Sequence, residues 1–73
     1  MRVNGMKLIE THLGDVKCVP TFLKSYGAED VPTPEVLRKW RQRGVPDKAI
    51  VSLLAFLELE TGRPISLAKF LED

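Results

Sequence analysis

The sequence holds one cysteine, Cys18, and one histidine, His12, among 73 residues. A single thiol closes no intramolecular disulfide, no dithiol redox pair and no cysteine-based zinc site, and it fits a reducing compartment. One histidine supplies neither a metal-ligand pair nor a recognisable Ser-His-Asp or Cys-His arrangement, and a lone histidine in an amphipathic segment reads as a boundary residue. The glycines form no phosphate-cradling loop, and the acidic residues, adjacent only at Glu29-Asp30 and Glu72-Asp73, form no recognisable catalytic or metal-binding motif. An enzyme, a cofactor and a small-molecule substrate are therefore not expected. No apolar run approaches the ~20 residues of a membrane span. The opening "MRVNGMKLIE" lacks the apolar centre and small-residue cleavage site of a signal peptide, so the expected location is cytoplasmic, without membrane association. Repeats, low-complexity tracts and alternating runs long enough for strands are missing too.

What is present suits one small globular domain spanning residues 1–73, with 44% apolar and 29% charged residues. A domain of this size buries only about 60% of the surface its unfolded chain exposes, so a second chain would help it. The formal charge of +1 hides a local pattern. Residues 1–30 are balanced, residues 31–46 carry a net +3, and residues 47–73 a net −2. The cationic middle, set between neutral and acidic segments, is a local feature and not a global polycation.

Gly14, Gly27, Gly44 and Gly62, together with the prolines, cut the chain into short helical pieces. The first runs from Gly5 to Leu13, capped by Asn4 and closed by Gly14, with Met6, Ile9 and Leu13 on one face. Pro20 fits a first helical turn, which gives a second helix from Pro20 to Tyr26 after a turn or irregular lead-in at 15–19. "GAEDVP" is a loop. The third helix has Thr33 as N-cap, Pro34 at its first position and Glu35 near the positive dipole end, and runs to Arg43. Pro46 opens a fourth helix to Thr61, ended by Gly62, and Ser66 caps a last one from Leu67 to Glu72. The expected fold is all-α, a compact bundle of four to five short helices. Its expected core is Ile9, Leu13, Phe22, Leu23, Val36, Leu37, Trp40, Ile50, Leu53, Leu54 and Leu57.

Within the third helix, Val36, Leu37 and Trp40 share one third of the circumference and face the core. Glu35, Arg38 and Gln42 lie opposite, Lys39 and Arg41 flank them, and Arg43 stands at the C-terminal edge. Arg, Gln and Glu are the side chains that read base edges, whereas flanking Lys and Arg suit phosphates. A basic helical face also arises without any ligand, because Lys and Arg favour helices and complement the C-terminal dipole. The aromatics are placed like core residues, not as the basic-aromatic platform that stacks RNA bases.

"VLRKWRQRGVP", followed by a helix and "ETGRPISL", resembles the phage Cro-like and YdaS-like helix-turn-helix regulators. The matching residues are Val36, Trp40, Arg41, Gly44, Val45 and Pro46, then Thr61 and Gly62; "LIETHLGD" is similar to their first helix. The resemblance covers Val36 to Leu67 and implies a helix-turn-helix domain, commonly dimeric, that represses transcription from operator DNA. It places Thr33, Arg38, Lys39 and Gln42 outward on a recognition helix and Val36 and Trp40 inward. Gly27 and Trp40 lie 13 positions apart, a spacing that an extended loop "AEDVPT" accommodates. The expected DNA-binding set is thus Thr33, Glu35, Arg38, Lys39, Arg41, Gln42 and Arg43. The alternative is a protein-interaction module on the same scaffold.

The fourth helix is apolar nearly all round. Ile50, Leu53, Leu54 and Leu57 form one face, and Val51, Ala55, Phe56 and Leu59 much of the rest, so it needs cover on more than one side. Leu67, Phe70 and Leu71 can supply part of that cover. A homodimer through Val51, Ala55, Phe56 and Leu59 is the expected complement.

Overall fold

Capping and chain-breaking residues set most of the architecture. The computed structural model describes residues 2–72. It contains four α-helices, α1 (Gly5–Leu13), α2 (Val19–Ser25), α3 (Pro34–Arg43) and α4 (Asp47–Thr61), with short 3-10 turns at Val16–Cys18 and Leu67–Phe70. The fold is a small all-α bundle.

Asn4 Oδ1 accepts the Lys7 N–H at 3.0 Å, and the Gly14 N–H returns to the Glu10 carbonyl at 3.1 Å, so both ends of α1 are closed as the sequence suggests. Asp15 caps the first 3-10 turn by accepting the Lys17 N–H at 3.0 Å. Helix α2 starts at Val19 rather than Pro20 and ends at Ser25, with Tyr26 as its C-cap. The N–H groups of Tyr26 and Ala28 both return to the Leu23 carbonyl at 3.1 Å, which turns the chain into the loop. Ala28 and Val31 pack against the core, so this loop is seated on the domain. Helix α4 begins at Asp47, with Pro46 in extended backbone as its N-cap.

Two expectations are corrected at the C-terminus. The segment 67–72 is a 3-10 turn followed by a strand, not an α-helix, and Ser66 makes no side-chain cap bond. The strand β2 (Leu71–Glu72) pairs antiparallel with β1 (Arg2–Val3), Val3 opposite Leu71. Two-residue strands carry no detectable alternation. Their pairing, with the Asn4 N–H donating to the Phe70 carbonyl at 2.6 Å, ties the two ends of the described chain together.

The core is Leu8, Ile9, Val16, Val19, Leu23, Leu37, Trp40, Val45, Ile50, Leu53, Leu57 and Phe70. Leu13, Phe22, Val36 and Leu54 are only partly buried. Leu8, Val16, Val19, Val45 and Phe70 are buried instead; Val16 and Phe70 come from the two 3-10 turns and Val45 from the α3–α4 connection, all of which fold inward. Gly5 explains how Val45 is covered. A Cβ there would stand 2.6 Å from Val45 Cβ, so the bare backbone is what lets the first turn of α1 sit on the α3–α4 connection.

Candidate nucleic-acid interface

Helix α3 is positioned by two buried side chains, Leu37 and Trp40. Its start is fixed by Thr33, whose Oγ1 accepts the Val36 N–H at 3.3 Å. Its end is fixed by Gly44, where φ is 90° and the N–H reaches the Trp40 carbonyl at 2.8 Å. That left-handed backbone favours glycine and stops the helix one residue past Arg43. Val45, buried, then anchors the corner.

This clamping brings the expected set onto one free surface. Glu35, Arg38, Lys39, Arg41, Gln42 and Arg43 are all exposed, Val36 is half-buried, and Thr33 is exposed with its hydroxyl engaged in the cap. Among the described residues no carboxylate pairs with Arg38, Lys39 or Arg43. Arg41 differs. One of its terminal guanidinium nitrogens stands 3.6 Å from Asp15 Oδ1, with both side chains about half exposed (49% each). The Asp15 carboxyl is held below its ordinary range chiefly by the Lys17 backbone N–H, with the Lys17 and Arg41 charges adding to it.

Asp15 and Lys17 are the members of this surface that sequence reasoning missed. An acidic residue after Gly14 signals a cap, but its approach to Arg41 depends on how the 3-10 turn packs on α3. The result extends the cationic surface beyond α3 to the exposed Lys17 and sets one carboxylate inside it.

On its inner flank α3 borders a separate cleft of about 300 Å³, with Leu23, Val31, Val36, Trp40 and Leu53 in its walls and Asp30 and Lys48 among the polar residues lining it. It is lined from the core side of the helix, away from the exposed cations. Among the described residues no three His, Cys, Asp or Glu side chains come together as metal ligands, and no helix is long and apolar enough to cross a membrane.

The other expected surface is only partly as anticipated. Val51, Ala55 and Leu59 are exposed, but Phe56 is half-buried. Its ring lies 5.6 Å from that of Tyr26, which in turn stands 5.3 Å from Phe22, so Phe56 belongs to a small aromatic cluster tying α2 to α4. The Tyr26 hydroxyl donates to Glu60, which also joins α2 to α4. No family model, curated protein or solved structure matches the chain.

Proposed function

We propose that this domain is a sequence-specific DNA-binding transcriptional regulator of the Cro-like repressor type, and that α3 is its recognition helix. The observation that carries this reading is the division of α3. Its apolar side is locked by Leu37 and Trp40, while its outer side presents Arg38, Lys39, Arg43, Gln42 and Glu35 free of ion pairs among the described residues. A rigid helix with a free basic and amide-bearing face has the dimensions and donors to enter a major groove. Arg38 and Gln42, one turn apart, take base edges. Lys39 and Arg41 take phosphates, and the exposed Lys17, on the 3-10 turn whose Asp15 cap reaches Arg41, takes a further one. The reading requires no metal, cofactor or small-molecule substrate.

The test is selection of bound duplexes from a random pool, followed by a salt titration of the selected sequence. A specific regulator enriches a defined motif, and its affinity falls steeply with salt, with a log–log slope of about −0.9 for each phosphate neutralised. No enrichment and a flat salt response would overturn it. That outcome would favour the protein-interaction module instead, a reading supported by the bare Val51 and Leu59 on α4.

A further inference from the structure

The cleft on the inner flank of α3 is bounded by three elements: the loop after α2, α3 itself and the first two turns of α4. Leu23, Trp40 and Leu53 are buried at its base, and Val31, Val36 and Ala49 are half-buried along its sides. Its volume of about 300 Å³ stands at the small end of the ~300–1,000 Å³ range of ligand sites. It suits a small compound with an apolar body.

Two charged side chains line the cleft, Asp30 from the loop and Lys48 from α4, and both are exposed. Among the described residues they pair neither with each other nor with any other charge. Their sequence neighbours Glu29 and Asp47 are exposed as well, but neither lines the cleft. Asp47 is turned from Lys48 by one helical step of about 100°, and Glu29 adds to the acidic side of the mouth.

These two lining charges decide the class of occupant. A neutral apolar molecule uses the walls and neither charge. An amine is attracted by Asp30 and repelled by Lys48; for an acid the signs reverse. A molecule with an ammonium and a carboxylate beside an apolar body uses both charges and the walls at once. A free α-amino acid with an apolar side chain carries that pattern on one carbon. A peptide does not, since each of its termini sets a single charge beside a side chain.

We propose that the cleft is a binding site for a free apolar α-amino acid, with its ammonium toward Asp30, its carboxylate toward Lys48 and its side chain against Trp40. The chain holds this ligand without transforming it. The site goes beyond the DNA reading and is tested without DNA, so failure of either leaves the other measurable.

Trp40 is the only tryptophan of the chain and lines the cleft, so its emission reports occupancy. The full chain is titrated with leucine, leucinamide, isocaproate and glycine, and amide chemical shifts of labelled protein are followed in parallel. Leucine should change the emission saturably and move the amides of the lining residues. Leucinamide lacks the carboxylate and isocaproate the ammonium, so each should bind at least ~3-fold more weakly, the scale of one exposed ion pair. Glycine, without an apolar body, should not saturate. Asp30→Asn should erase the advantage of leucine over isocaproate, and Lys48→Gln its advantage over leucinamide. Both positions are exposed, so thermal melts of these variants should match the parent. Ala49→Phe, which fills the cleft from its side, should abolish binding. The absence of any saturable change in emission or shifts up to roughly 10 mM leucine would overturn the proposal. So would equal binding of leucine and either single-charge analogue, or advantages that survive in Asp30→Asn and Lys48→Gln.

Discussion

Arg38 and Lys39 are adjacent and equally cationic, yet the proposed reading gives them different work. Arg38 sits opposite the core and one turn from Gln42, so Arg38→Ala should cost about 1–3 kcal/mol on the selected sequence and relax preference at one base pair. Lys39→Ala should weaken all sequences alike and reduce the salt slope by about 1. Equal losses on specific and random DNA in the Arg38 variant would remove its base-reading role. Asp15 should act in the opposite direction. Its carboxylate lies 3.6 Å from Arg41 and, on the proposed reading, competes with phosphate for that guanidinium, so Asp15→Asn should tighten binding to every sequence, as fluorescence anisotropy on random DNA would show. The same residue carries a pH signature. Its folded carboxyl titrates below the ordinary range, so its contribution to stability is present above the unfolded value near 4 and disappears as pH falls through the lower folded value. Thermal melts of Asp15→Asn and the parent should therefore converge in acid; a gap unchanged from pH 7 to 2 would contradict the assignment. Trp40 is a matter of folding. Buried under α3, it should cost about 3–5 kcal/mol on replacement by Ala, a large share of the stability of a small domain.

At the level of elements, the helices whose ends carry chemical punctuation were legible in the sequence. Asn4 and Gly14 bracket α1, and Thr33-Pro34 and Gly44 bracket α3, with bounds that agree with the structure. The exposed face of α3 was legible for the same reason, since a fixed start and a fixed period determine which residues share a side. The C-terminus was not. Leu67 to Glu72 has helical periodicity, but its fate is decided by partners far away in the chain: the Asn4 N–H captures the Phe70 carbonyl, and β1 pairs with Leu71 and Glu72. Val45 and Gly5 were likewise invisible as a pair, because their contact joins α1 to a corner remote in sequence. That contact yields its own prediction. With only 2.6 Å available to a Cβ at position 5, Gly5→Ala should destabilise by about 1–3 kcal/mol despite alanine's better helix propensity. The loss should shrink in a Val45→Ala background, which a double-mutant cycle by urea denaturation would read. A stabilised Gly5→Ala variant would mean that α1 does not approach the corner so closely.

For the whole molecule, the α3–α4 corner joins the basic face of α3 to the exposed Val51 and Leu59 on α4. Residues 44–46 connect the helices directly, and Val45 is buried, so α3 holds a fixed attitude to α4. The homodimer expected from the sequence, paired through this side of α4, would then fix the separation of the two α3 helices as well. Each chain measures 31 × 30 × 20 Å, about the distance between successive major grooves of B-DNA, ~34 Å. The charge pattern points the same way. A chain with a net charge of only +1 has little general attraction for DNA, so two local basic faces acting together are a more effective source of affinity than one. The sequences enriched from a random pool should therefore be palindromes with half-site centres about 10 bp apart. Inserting 5 bp between the halves turns one of them to the opposite side of the duplex and should abolish cooperative binding. A footprint covering one half-site, with affinity indifferent to spacing, would show that the domain reads DNA as a monomer and that the exposed side of α4 serves another purpose.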